Sequence, residues 1–241
     1  MKIESAAPSS AVNSPALPHP DWKHHEDTLS AELPWFRTAG ARGRGRASLR
    51  ALIRTMDVLL SLVAIAGLLP FWILIALAIR IESPGPAFYR QERVGRGGRN
   101  FTMLKFRSMS VDREGDAIRL ASPGDRRVTR LGAFLRSHRL DETPQFINVL
   151  RGEMSVVGPR PEIPSLAALG RERIPGYDER LRELPGITGL AQIVNGYDSD
   201  FEGVPRTVAL DRHFIRHISL FNYLRILLRT VPTVLFCRGA V

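Results

Sequence analysis

The stretch MDVLLSLVAIAGLLPFWILIALAI, Met56 to Ile79, has one charged residue, Asp57, just inside its start. It is longer than the roughly 20 apolar residues that cross a bilayer core. A water-soluble core helix is seldom so uniformly apolar, so the segment reads as membrane-associated. Pro70 stands near its middle, where the missing N–H and the ring's clash with the preceding turn predict a kink or a break. Gly67 loosens the same region. Basic residues flank both ends: Arg46, Arg50 and Arg54 before it, and Arg80, Arg90, Arg93, Arg96 and Arg99 after it. A spanning helix usually has its basic excess on one side. Charge and proline alone leave two readings open. One is an ordinary kinked span; the other is a segment that enters one leaflet, turns at Leu69-Pro70 and returns to the side it left.

Ahead of this segment, residues 1–50 lack the apolar core of a secretory signal. They are rich in Pro, Ser, Ala and His and read as a disordered tail closing on the basic run ARGRGRASLR. The expected division is therefore a tail over 1–50, a membrane helix over 51–82 and a soluble domain over 83–241. Lys and Arg number 34 against 24 Asp and Glu, a formal net charge of +10. Such a balance points to an anionic partner: nucleic acid, anionic lipid or a phosphorylated substrate. No helix-turn-helix, zinc or base-stacking motif accompanies it, which sets nucleic acid aside. The single cysteine, Cys237, can form no internal disulfide.

Past the membrane segment, residues 88–104 alternate around the turn GRGG, a β-hairpin signature. That turn lacks the spacing of a dinucleotide fingerprint. In RRVTRLGAFLRS, Val128, Leu131 and Leu135 share one helical face among arginines. Asp141 then stands where the N-cap of a helix through QFINVLR would fall, with Pro144 in its first turn and a stop near Gly152. ELPGITGLAQIVNGY reads as a structured loop. HFIRHISLFNYLRILLRTVPTVLF has an amphipathic, interfacial pattern interrupted at Pro232.

Asp141 and Glu142 are adjacent carboxylates, and adjacent acids have three uses: a solvated helix start, a Mg²⁺ site, or a nucleophile beside a proton or metal partner. The soluble block around them holds Lys105, Arg107, Arg136, Arg139, Arg151 and Arg160. Arginine suits two-pronged phosphate contacts, and in Pro159-Arg160-Pro161 the prolines fix the backbone on both sides. A carboxylate attacking a phosphoryl group needs such cations to neutralise the developing charge. Acids, bases and a membrane segment together point to phosphoryl chemistry on a lipid-borne phosphate.

The runs ALAIRIESPGPAFYRQERVG, LKFRSM, LDETPQFINVLRGEMSVVGPRPE and PGITGLAQI, in that order, closely resemble the bacterial sugar transferases, monotopic polyprenyl-phosphate phosphoglycosyl transferases. The resemblance covers about Arg50 to Val241. It implies an α+β, mostly helical membrane-associated domain with a re-entrant membrane helix broken at Leu69 and Pro70, interfacial amphipathic helices and a small β-hairpin. It also implies transfer of a hexose 1-phosphate from a UDP-sugar to undecaprenyl phosphate with release of UMP. The chain would work from the cytoplasmic face of the bacterial inner membrane, in exopolysaccharide or glycoconjugate assembly. On that resemblance Asp141 is the nucleophile that carries the phosphosugar, and Glu142 assists through proton transfer or Mg²⁺, so both are metal candidates. Lys105, Arg136, Pro159, Arg160, Pro161 and Asp211, the last matching the acid ahead of the terminal helices, are the implied substrate- and phosphate-binding residues. The ending TVPTVLFCRGAV looks most like galactose- or glucose-transferring members. A homodimer stays open.

Two positions depart from the family pattern. Thr143 stands where leucine is usual, and Tyr197 where arginine is. Three lesser candidates have plainer readings. His213 and His217, four apart, read as structural for want of a third ligand. Cys237 reads as an inert thiol, and Asp57 as a cap or a partner of Arg54.

Overall fold

The computed structural model describes residues 28–38, 44–110, 125–195 and 203–235. Tyr197 and Cys237 lie outside them. The long apolar stretch becomes helix α1, Arg44–Glu82, of 39 residues with Pro70 inside it. Helical assignment continues through Leu69 and Pro70, so the expected break is not an interruption of the helix. One stripe of α1, through Ile53, Asp57, Ser61, Ile65, Leu68, Trp72, Ile75 and Ile79, packs on the rest of the protein. The other face is apolar and open, with Val63 72% and Phe71 60% exposed. It is the one described helix long and apolar enough to cross a membrane.

Both ends of α1 are held by the same soluble body. At its start Arg50 pairs with Glu183, and Arg54 donates to the Val149 and Leu150 carbonyls at 2.6 and 3.0 Å. Asp57 does not pair with Arg54. Its Oδ1 accepts from Ser155 Oγ, the Val156 amide and the Tyr223 hydroxyl at 3.1, 2.8 and 2.6 Å. At its other end, Arg107 donates to the Ser83 and Pro84 carbonyls at 2.6 and 2.7 Å. Arg107 is thus a cap for α1 and not a member of the phosphate-facing cluster. Arg46 donates to the Ile215 carbonyl at 3.0 Å, so several of the flanking arginines serve the protein interior and not the lipid.

The hairpin forms as its alternation predicts. Strand β1, Phe88–Val94, pairs antiparallel with β2, Asn100–Phe106, with Tyr89 opposite Lys105. Its turn uses positive φ at Gly97 (69°) and Gly98 (77°). Helix α2, Arg130–Ser137, is capped by Thr129, whose hydroxyl accepts from the Gly132 amide. A separate 3₁₀ turn, Leu140–Glu142, carries both acids, and α3, Gln145–Arg151, begins only after Pro144 and stops at Gly152, φ 80°. Asp141 is therefore not the cap of α3, because Pro144 takes that position. Strand β3, Ser155–Val157, pairs in parallel with β4, Gly186–Thr188, from the stretch expected to be a loop. Their backbones approach so closely that a β-carbon at Gly158 would meet the Leu184 carbonyl, and one at Gly186 the Gly158 amide. Helices α4 (Pro164–Arg173), α5 (Leu190–Val194), α6 (Val204–Arg216) and α7 (Leu220–Leu235) complete the fold. Helix α7 runs through Pro232 without stopping there.

The tail expected over residues 1–50 is not a tail throughout. Residues 28–32 are helical, and Leu29, Leu33 and Phe36 join the main core with Met103, Leu210, Phe214 and Tyr223. Asn222 grips this strap: its Oδ1 accepts from the Arg37 amide at 2.9 Å, and its Nδ2 donates to the Arg37 carbonyl at 2.8 Å. Arg229 lies over the Trp35 ring at 4.1 Å. The apolar spacing in TLSAELPWF, masked by a polar setting, is the signal that a composition reading passes over. His213 packs between Phe36 and His217, with ring centroids 5.2 and 4.6 Å away, and burial pushes its pKa down to about 4. It is a neutral core histidine. Because Phe36 fills space between the strap and α6, Phe36→Ala should destabilise the protein by about 3–5 kcal/mol. Thermal unfolding in detergent measures this, and an unchanged midpoint would show the strap to be dispensable.

Candidate functional site

Three separate elements converge on the acid pair. Lys105 comes from β2, Arg160 from the loop after β3, and Glu142 from the 3₁₀ turn. Glu142 Oε1 accepts from Lys105 Nζ at 2.8 Å and from Arg160 Nη2 at 2.9 Å. Both acids are nearly buried, Asp141 8% and Glu142 7% exposed. Arg139, directly before this turn, takes a left-handed conformation, φ 55°. A non-glycine residue there is uncommon, and such strain tends to gather at working sites. Asn148 on α3 fixes the turn's distance from β2. Its side chain accepts from the Leu104 amide at 3.0 Å and donates to the Thr102 carbonyl at 2.7 Å.

The two carboxylates are electrostatically unlike. Burial raises the affinity of Glu142 for a proton, but Arg160 and Lys105 outweigh it and hold its carboxyl well below the usual range. Among the described residues, no hydrogen bond or ion pair reaches the Asp141 carboxylate. Burial and the charge of Glu142 push its pKa up to about 6, against the lowering influence of Lys105, Arg136 and Arg160. Of the two acids, it is the Glu142 anion that the surroundings favour and the Asp141 anion that they disfavour. Arg136 lies in the last turn of α2 and acts on Asp141 through its charge, without a hydrogen bond or ion pair to either acid among the described residues. Burial lowers the pKa of Lys105.

The Pro-Arg-Pro loop is built from behind. Arg180, which sequence reasoning did not single out, is 2% exposed and donates to the Arg160 carbonyl at 2.9 Å and to the Tyr177 hydroxyl at 3.1 Å. It pairs with Asp211 at 2.8 Å. Burial works against its charge, yet Asp211 and Glu162 keep it more firmly protonated than usual. The structure places Asp211 behind the loop, where it acts on Arg160 through Arg180. Arg93 supports the same loop from β1, donating to the Pro161 carbonyl at 2.9 Å. Burial first, then Arg160, lowers the Arg93 pKa to about 10. The amides and carbonyls of the loop are also used: Gly158 N donates to Thr188 O at 2.9 Å and Gly186 N to Pro159 O at 2.8 Å. Nothing in YDERLRE distinguishes Arg180 from Arg182 except the 3₁₀ turn, Tyr177–Arg182, that directs it inward. Thr143, the departure from leucine, uses its hydroxyl to accept from the Trp72 indole at 3.0 Å.

No group of three or more His, Cys, Asp or Glu that could hold a metal occurs among the described residues. A Mg²⁺ ion needs less, since it takes one or two carboxylates and completes its shell with substrate phosphates and water. Asp141 fits that role, having a carboxylate without partners and a raised proton affinity that a cation would relieve. Glu142 fits it less well, because Oε1 already serves two cations. The arrangement as a whole sets one unpartnered carboxylate beside a fixed acid and at least two fixed cations, a layout suited to an anionic, phosphorylated substrate.

A family model, bacterial sugar transferase, matches residues 48–237. The chain is 42% identical over 208 residues to a UDP-glucose:undecaprenyl-phosphate glucose-1-phosphate transferase of Caulobacter vibrioides, covering 86% of this chain and 77% of that protein. It is 41% identical over 187 residues to a UDP-N-acetylgalactosamine-undecaprenyl-phosphate N-acetylgalactosaminephosphotransferase of Aeromonas hydrophila, covering 78% of this chain but 44% of that protein. It is 37% identical over 190 residues to the exopolysaccharide production protein PSS of Rhizobium leguminosarum bv. phaseoli, covering 76% of this chain and 95% of that protein. The chain thus spans less than half of some relatives and nearly all of others. With the family model matched from the first third of α1 to beyond the end of α7, and with the acid pair and Pro-Arg-Pro loop folded onto one another inside that span, the chain belongs to the bacterial sugar transferase family.

Proposed function

We propose that this protein transfers a hexose 1-phosphate from a UDP-sugar to undecaprenyl phosphate through a phosphosugar carried on Asp141. The observation that carries the reading is the unpartnered Asp141 carboxylate beside Glu142, itself fixed between Lys105 and Arg160. In the first step an Asp141 oxygen attacks the phosphorus next to the sugar. The bond from that phosphorus to the bridging oxygen breaks, UMP leaves with the electron pair, and an acyl phosphate remains. In the second step a phosphate oxygen of undecaprenyl phosphate attacks the same phosphorus and releases the Asp141 carboxylate. Lys105 and Arg160 neutralise charge on the pyrophosphate, and Glu142 keeps both cations in place when no substrate is present. Asp141, with Glu142 adjoining, would hold Mg²⁺, which when bound supplies further neutralisation of the pyrophosphate. The names of the relatives support a UDP-sugar and undecaprenyl phosphate as substrates.

We infer further that α1 enters and leaves the cytoplasmic face of the inner membrane. Its two ends are anchored to one soluble body, at Arg50–Asp57 and at Ile79–Ser83, and a body on one side of a bilayer cannot hold both ends of a spanning helix. The exposed apolar face of α1 supplies the surface that lipid covers. Single cysteines at Ser48 and Arg90, in a Cys237→Ser background, should then both resist membrane-impermeant thiol reagents added outside intact cells. Labelling of only one of them would establish a true span.

Two outcomes test the chemistry. UDP-sugar and Mg²⁺ alone should label the protein with sugar phosphate close to one per chain and release a matching burst of UMP. Asp141→Asn should abolish both. UMP that appears only when both substrates are present would instead establish direct transfer in a ternary complex. The second outcome follows from the raised pKa of Asp141. Above pH 6 the folded protein holds a charge that burial and Glu142 disfavour, which subtracts stability; the penalty shrinks as pH falls from 6 towards 4 and is gone by about pH 3, where the acid is protonated in folded and unfolded chains alike. Without divalent cations, Asp141→Asn should therefore stabilise the fold by on the order of a few kcal/mol above pH 7 and by almost nothing near pH 3. Denaturation of both proteins at the two pH values measures the difference, and equal stability at high pH would mean that the Asp141 anion is not disfavoured.

A further inference from the structure

Trp72 lies on α1 two residues past Pro70 and is buried, although its neighbours Phe71 and Ile73 face outward. Its indole N–H donates to Thr143 Oγ1 at 3.0 Å, and that hydroxyl donates in turn to the Leu140 carbonyl at 2.7 Å. Thr143 thereby closes the 3₁₀ turn that carries Asp141 and Glu142 and ties it to the membrane helix. The indole ring also meets Phe106 edge-on, with centroids 6.1 Å apart and planes at 84°. Phe106 follows Lys105, and Thr143 follows Glu142. One side chain of α1 thus touches the next residue along from each partner of the 2.8 Å Lys105–Glu142 ion pair.

The contacts are specific. The indole has a single donor, and the threonine hydroxyl, its lone hydrogen committed to Leu140, is held in one orientation as the acceptor. Strand β2 and the 3₁₀ turn are far apart in sequence, so their spacing depends on what both lean upon. Displacements of about 1 Å at a reacting centre cost large factors in rate. The depth of α1 in lipid is set by burial of its apolar face. That depth reaches the acid pair in part through this hydrogen bond and ring contact, beside the packing of Leu140 and Ile147 in the same apolar cluster.

We propose that Trp72 and Thr143 are positioning residues that hold the Lys105–Glu142 pair, and with it Asp141, in register with the membrane helix. The proposal rests on the reading of this site as one of phosphosugar transfer. Thr143→Val removes the hydroxyl at constant shape, Thr143→Ser retains it, and Trp72→Phe removes the N–H but keeps a ring. In bilayer nanodiscs, with the UDP-hexose that the wild type turns over, Thr143→Val and Trp72→Phe should each lower kcat about tenfold while KM for the UDP-hexose stays within about twofold. Thr143→Ser should keep the wild-type rate, and the double variant should be slowed by clearly less than the product of the two single effects, because both remove the bond between Trp72 and Thr143. Wild-type kcat in Thr143→Val, or a double variant slowed by the product of the two effects, overturns the proposal.

A measurement without turnover separates this from failure of the functional reading. The chain has three tryptophans, so in a Trp22→Phe, Trp35→Phe background the emission of Trp72 reports its bond directly. Thr143→Val should shift that emission and Thr143→Ser should not. An unshifted Thr143→Val overturns the proposal even where its kcat falls. A wild type that transfers nothing from any UDP-hexose, with the emission shift intact, overturns the functional reading and the positioning role with it.

Discussion

Glu142 between Lys105 and Arg160 is the contact that the rest of this structure serves. Burying three charges costs several kcal/mol per ion unless the geometry is close and the remaining groups are satisfied, and the 2.8 and 2.9 Å contacts meet that condition. The partners come from a strand, a 3₁₀ turn and a loop that no local interaction would bring together. Asn148 holds the turn near β2, the parallel pair β3–β4 brings the Pro-Arg-Pro loop across, and Arg180 fixes that loop from below. Each of these is a buried polar group satisfied by backbone, the kind of contact that specifies one arrangement over its near neighbours.

The cluster also accounts for the difference between the two acids. Fixed cations can favour one adjacent carboxylate fully and the other only through space. Glu142 takes both contacts and becomes the settled anion, while Asp141 is left buried, unpartnered and repelled by its neighbour. A carboxylate free of hydrogen bonds among the described residues has lone pairs available, which is what the proposed attack on phosphorus requires. A buried acid whose charge its surroundings disfavour works against stability, a trade common at functional sites.

Much of this was legible in the sequence, for local reasons. The hairpin showed in its alternation and glycine turn, the stop of α3 in Gly152, and the acid pair and Arg160 in residue type and spacing. What was not legible depended on distant partners. Arg180 and Asp211 form a buried ion pair across 31 positions, and neither residue's neighbours announce it. Asp57 looked like a partner for Arg54, one helical turn away, but Ser155, Val156 and Tyr223 satisfy it from two other elements. The strap at Leu29–Phe36 read as tail because composition averages over a few well-placed apolar residues. Pro70 and Pro232 both lie inside continuous helices.

The grip of Asn222 on Arg37 bears on how the chain is made. The two residues are 185 positions apart, so at bacterial synthesis rates of about 5–20 residues per second the strap waits on the order of 10 to 40 s for its partner. Helix α1 leaves the ribosome during that interval, long before α6 and α7 exist to cover Leu29 and Phe36. The bilayer is then an apolar phase open to the exposed face of α1. The order of synthesis therefore favours lipid contact first and closure of the soluble body last, with the strap at Leu29–Phe36 among the last parts to find its place.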